Sequence, residues 1–101
     1  MYKAIIKPLA KKDIQEAKKY YRGKQDGLDK RFTDELKEYI RLIRQFPFLF
    51  EEKKIPLRAF GLKSFPYIAY YSFENDTIYI HAVIAAKKDH YKLIHNLQSS
   101  Y

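Results

Sequence analysis

The sequence predicts an α+β fold, a small antiparallel β-sheet with an N-terminal helical hairpin packed on one face. Apolar residues recur at spacings of three and four from Leu9 to Tyr21 and again from Leu28 to Ile43, which is the period of amphipathic helices. From Ile55 to Ala86 the pattern turns extended, rich in aromatic and β-branched residues and cut by short polar turns. Helical stripes of this length need an apolar partner face, and a sheet is the only large one on offer. The predicted order is β-α-α-β-β-β, with room for a short C-terminal helix.

Tyr2 to Lys7 is a short β-branched segment stopped by Pro8, and it reads as the first strand. Pro8 suits the first turn of a helix, where its missing N–H costs nothing. Leu9, Ala10, Ile14, Ala17, Tyr20 and Tyr21 form the stripe of that helix, over roughly residues 8–22, with Gly23 breaking it. The second helix is predicted to start near Asp26 as N-cap, with Asp29 favouring the positive end of the helix dipole. Its stripe is Leu28, Phe32, Leu36, Tyr39, Ile40 and Ile43, and Phe46-Pro47 ends it. A connection of about four residues makes the two helices an antiparallel hairpin.

Three strands follow a linker holding Phe48 and Phe50. They are Ile55 to Leu62, with Pro56 marking an edge or a start, then Phe65 to Phe73, then Thr77 to Ala86 after the turn Glu74-Asn75-Asp76. Short turns make them an antiparallel meander, and Ile78, Ile80, Ala82 and Ile84 are expected on one face. With the first strand the sheet has four strands, although sequence alone does not place that strand. Leu93, Ile94 and Leu97 allow a short C-terminal helix.

The 101 residues fit one domain spanning the chain. Hydrophobic residues at 47% and seventeen aromatics (ten Tyr, seven Phe) are enough to build a core, which excludes a disordered chain. Cysteine is absent, so disulfides, thiol nucleophiles and cysteine zinc sites are excluded together. No apolar run approaches the roughly 18–20 residues of a membrane span, and there is no signal-peptide core at the N-terminus. The expectation is a cytoplasmic protein without membrane contact.

The net charge is +8, which permits nucleic-acid binding without demonstrating it. Residues 1–50 hold 13 basic and 7 acidic side chains, residues 51–101 only 7 and 5. Most of the excess therefore falls on the solvent faces of the two helices, where lysine is ordinary. There is no phosphate-binding glycine loop, no nucleophile elbow and no credible carboxylate pair. His90 and His95 are five apart, a poor metal spacing. No cofactor and no metal are expected.

Five stretches resemble a known family, in its order. They are the opening strand into Ala10-Lys11-Lys12-Asp13-Ile14, then Ala17-Lys18-Lys19-Tyr20-Tyr21, then Phe32 through Ile43 to Pro47. Arg58 to Tyr71 around Phe65-Pro66-Tyr67-Ile68-Ala69-Tyr70-Tyr71 follows, and Ile78-Tyr79-Ile80-His81-Ala82-Val83 closes the set. The chain resembles the RelE/ParE superfamily of toxins of bacterial type II toxin–antitoxin systems, which includes plasmid stabilisation proteins. It looks closer to the ParE branch. The resemblance implies a toxin that arrests growth by binding a gyrase-like target and is neutralised by a cognate, acidic, partly disordered antitoxin. RelE-like members instead cut messenger RNA on the ribosome, and a non-toxic member would act as a structural or regulatory partner. The family pattern after the last strand is often a histidine and two arginines. Here Ala85 stands at the histidine position and Lys87 and Lys88 at the arginines, which weakens the nuclease reading.

Metal-free RNA cleavage needs a base, cations around the phosphate and an acid. If the chain is a nuclease, the candidates are Arg58, Lys87, Lys88 and Tyr91; as target contacts they are joined by Lys63 and His90. Arg58 serves equally well as a structural guanidinium on a carboxylate or carbonyl. His81, in an alternating strand, reads as structural or solvent-facing. The tyrosine-rich strand reads as core and interface more readily than as a base-stacking platform.

Overall fold

The computed structural model describes residues 1–54 and 56–98. It contains β1 (Lys3–Ile6), α1 (Pro8–Lys24), α2 (Leu28–Gln45), β2 (Glu52–Lys54), β3 (Leu57–Gly61), β4 (Tyr67–Glu74), β5 (Thr77–Ala85) and α3 (His90–Gln98). The sheet runs in the order β1-β5-β4-β3-β2.

The α+β class and the helical hairpin are as predicted, and the sheet differs in two respects. It has five strands, and β1 pairs with β5 in parallel while the other pairs are antiparallel. A short apolar strand reads the same in either direction, so its pattern carries no information on polarity. The added strand, β2, is Glu-Lys-Lys and fully exposed. It joins the edge through its backbone and one Glu52–Arg58 ion pair, and charge there discourages further pairing. Ile55, the predicted start of the next strand, lies outside the described residues, as does the side chain of Leu97.

Local chemistry explains the element ends. Pro8 opens α1, as expected. Gly23 lies within the helix, which continues to Lys24. The cap of α2 is Gly27 at φ 84°, rather than Asp26. That left-handed backbone favours glycine, and it lets the chain turn over only three residues. Asn75 and Asp76, at φ 52° and 59°, make the tight two-residue link between β4 and β5. Asp89 caps α3 by accepting the Lys92 N–H at 3.2 Å.

Both faces of the sheet are covered. The hairpin packs Ala10, Ala17, Tyr21, Phe32, Leu36 and Ile43 onto Phe60, Ala69, Tyr71, Ile78, Ile80 and Val83. On the other face, Leu93 and Ile94 of α3 rest on Leu57, Ala59, Tyr70, Ala82 and Ile84. The alternation predicted for β5 is therefore broken: Ile78 and Ile80 face the hairpin, Ala82 and Ile84 face α3. Register explains it, since Tyr70 opposes Ala82 while Tyr71 opposes Ile80. His81 is the extra residue of a β-bulge, which shifts the side-chain phase by one.

Candidate functional site

Arg58 lies on β3 opposite Tyr71 of β4, on the hairpin side of the sheet. Its Nη1 donates to the Phe50 carbonyl at 2.8 Å and its Nη2 to Glu52 Oε1 at 3.0 Å. The guanidinium also stands 4.9 Å from the centre of the Phe48 ring, and the side chain is only 16% exposed. These partners occupy the cation and tie the 46–52 loop to the sheet.

His90 opens α3 on the opposite face. Its Nε2 lies 2.7 Å from the Ala85 carbonyl, which can only accept, so that nitrogen carries the proton. The Tyr70 hydroxyl then donates to Nδ1 at 2.7 Å. Both ring nitrogens are engaged in fastening α3 to the sheet, and burial raises the Tyr70 phenol above its ordinary value. Tyr91, by contrast, is 77% exposed, with the Lys54 ammonium 5.8 Å from its ring centre.

Lys63 is exposed in the β3–β4 loop beside Glu35 of α2, whose carboxylate accepts the Ser64 N–H at 3.0 Å. Lys87 and Lys88 are exposed in the turn between β5 and α3. The sequence candidates thus divide between two faces and two loops. Arg58 does not share a site with His90 and Tyr91. Among the described residues no group of three or more metal-ligating side chains is found, and no helix is long and apolar enough to cross a membrane.

His81 is half-buried, with Nε2 2.8 Å from Ser72 Oγ, and its pKa is pushed down to about 4, first by burial and then by Lys7. An imidazole in the unfolded chain titrates near 6.5, so between those values only the unfolded state binds the proton. Stability is therefore lost as pH falls from about 6.5 to about 4. After discounting for partial exposure, the loss is on the order of 1–2 kcal/mol. Urea unfolding at pH 7 and pH 4.5 should show this fall in the wild type and a shallower one in His81→Gln.

A cleft of about 180 Å³ lies where α1 crosses β5, and no sequence pattern marks it. Asp13, Glu16 and Tyr20 line one wall, Tyr67, Ala85 and Lys88 the other. It exists because β1 pairs with β5 only as far as Ile80. Beyond that point the Val83 N–H has no strand to meet, and Asp13 Oδ2 accepts it at 2.9 Å. Burial raises the Asp13 pKa despite this hydrogen bond. Tyr67 is raised too, chiefly by burial.

A family model described as the ParE toxin of the type II toxin–antitoxin system, parDE, matches residues 4–97. No curated protein matches the chain in sequence. Among solved structures, a chain of the chromosomal ParDE TA system from P. aeruginosa superposes with a TM-score of 0.71 at 15% identity, covering 86% of this chain and 98% of that one. At that identity the superposition speaks for the fold, and the family match for the lineage. With the family match spanning residues 4–97, the chain belongs to the ParE toxin family of type II toxin–antitoxin systems.

Proposed function

We propose that this toxin acts by binding, arresting growth by occupying a surface of a large cellular target, with DNA gyrase as that target, and that a cognate antitoxin neutralises it. One observation carries the choice of binding over catalysis: Arg58, the candidate phosphate clamp, and His90, a candidate proton carrier, do not converge. Arg58 is held on the hairpin side by Phe50 and Glu52, while His90 is spent on Tyr70 and Ala85 beneath α3. A positioned base and a phosphate clamp would have to meet within hydrogen-bond reach. The relation to a ParDE system supports the antitoxin.

Two assays on the purified chain test this reading. Inhibition of gyrase supercoiling is expected, together with intact messenger RNA on translating ribosomes. Cleaved messenger RNA with normal supercoiling would assign it to the RelE-like nucleases. Lys63, Lys87, Lys88 and Tyr91 remain the exposed candidates for target contact. Harmless expression without an antitoxin would point to a non-toxic member.

A further inference from the structure

The chain leaving α2, Phe46-Pro47-Phe48-Leu49, is apolar, and all of it but the buried Pro47 faces outward. Phe46, Phe48 and Leu49 are 57, 66 and 53% exposed, and Met1 and Tyr2 beside them 66 and 39%. Tyr2 and Phe48 both pack edge-on against Phe73, at 4.8 and 5.4 Å between ring centres, which joins the two segments into one patch. The largest apolar patch on a monomer is typically about 300–600 Å² and often functional, and five large side chains so exposed reach that range.

The patch is also rigid. Arg58 stands over Phe48, the Leu49 N–H donates to the Phe46 carbonyl at 3.1 Å, and the Tyr71 hydroxyl donates to the Pro47 carbonyl at 2.8 Å. Anchors ordered in advance lose little entropy on binding. Arg44 sits at the rim. Its Nε donates to the Tyr2 carbonyl at 2.7 Å, and its own carbonyl accepts the Tyr2 N–H at 2.9 Å. Among the described residues its two Nη nitrogens meet no acceptor, so a guanidinium oriented by Tyr2 presents a fork that fits a carboxylate. Lys3, next to Tyr2 in the chain, and Arg41, three residues before Arg44, are further exposed cations.

We propose that this patch docks an acidic amphipathic segment of the antitoxin, with apolar side chains on Phe46, Phe48 and Leu49 and a carboxylate on the Arg44 fork. The inference rests on the proposed antitoxin neutralisation. Charge selects this occupant over a second copy, because two chains of +8 repel while an acidic segment is attracted.

The test is calorimetric titration of the full chain with the product of the reading frame adjacent to its gene. The double variant Phe46→Glu/Leu49→Glu should bind at least about tenfold more weakly, and Arg44→Lys several-fold more weakly. Leu9→Glu, an equally exposed apolar site on α1, should bind like wild type. Matched melting curves confirm that the variants fold. Equal binding by wild type and double variant overturns the docking site while the antitoxin reading stands. No binding by wild type overturns both. Wild-type dimerisation in sedimentation that the double variant abolishes gives the patch to a second copy and overturns the proposal.

Discussion

Phe32→Ala is expected to lower the midpoint of thermal unfolding by about 15–25 °C. Phe32 is fully buried between hairpin and sheet, with ring centres 5.5 Å from Tyr21, 5.4 Å from Phe65 and 5.3 Å from Tyr67. Truncating a buried phenylalanine costs about 3–5 kcal/mol through lost transfer energy and the cavity left behind. The edge-to-face contacts with Phe65 and Tyr67 favour the upper part of that range. Each kcal/mol moves the midpoint of a domain this size by roughly 4–8 °C. Circular dichroism melting measures it; a shift below about 8 °C would mean that Tyr21 and Phe65 collapse into the space. Phe32→Leu, which keeps most of the volume, should lose less than half as much.

Arg58→Ala is the second large effect, expected at about 2–4 kcal/mol. The change removes two hydrogen bonds from a charged donor and leaves the Phe50 carbonyl in a part-buried setting without its partner. It also takes the cation from beneath Phe48. Glu52→Gln should cost under about 1 kcal/mol, since its carboxylate is more exposed and water replaces the partner. Urea unfolding of both variants reads the asymmetry directly. Equal small losses would show that Arg58 is not a structural tie. The consequence for function is practical: loss of growth arrest in Arg58→Ala would report an unfolded loop as readily as a missing target contact. Lys63, Lys87 and Lys88, exposed and without ion pairs among the described residues, are cleaner probes.

The elements that sequence predicted well are those whose cues are local. Pro8 and the stripe from Leu9 to Tyr21 specify a helix start and a buried face without reference to the rest of the chain. The Asn75-Asp76 turn is equally local. The second helix begins two residues after its predicted cap because Gly27, at positive φ, could do what Asp26 could not. The bulge at His81 was invisible, since nothing in Ile80-His81-Ala82 distinguishes a regular strand from one with an extra residue. β2 was invisible because three exposed charged residues on a sheet edge leave no apolar alternation.

The candidate site was less legible than the fold. Sequence could collect Arg58, Lys63, Lys87, Lys88, His90 and Tyr91 as chemically capable, but a face of a sheet is assigned by register, and register is a property of strand pairs. Pairing with Tyr71 turned Arg58 toward the hairpin, while Asp89 and His90 carried α3 to the other side. The Asp13 cleft and the Phe48 patch arise from where β1 stops and where the α2 exit meets the N-terminus.

By itself, then, the sequence determined the α+β class, the helical hairpin and the meander, because hydrophobic period and turn chemistry are written in consecutive residues, while the resemblance to the toxin family rested on its particular motifs. Only the tertiary structure decided the polarity of β1, the phase of β5 and the separation of Arg58 from His90. Those depend on which strand lies beside which, and residues far apart in the chain carry no local mark of it.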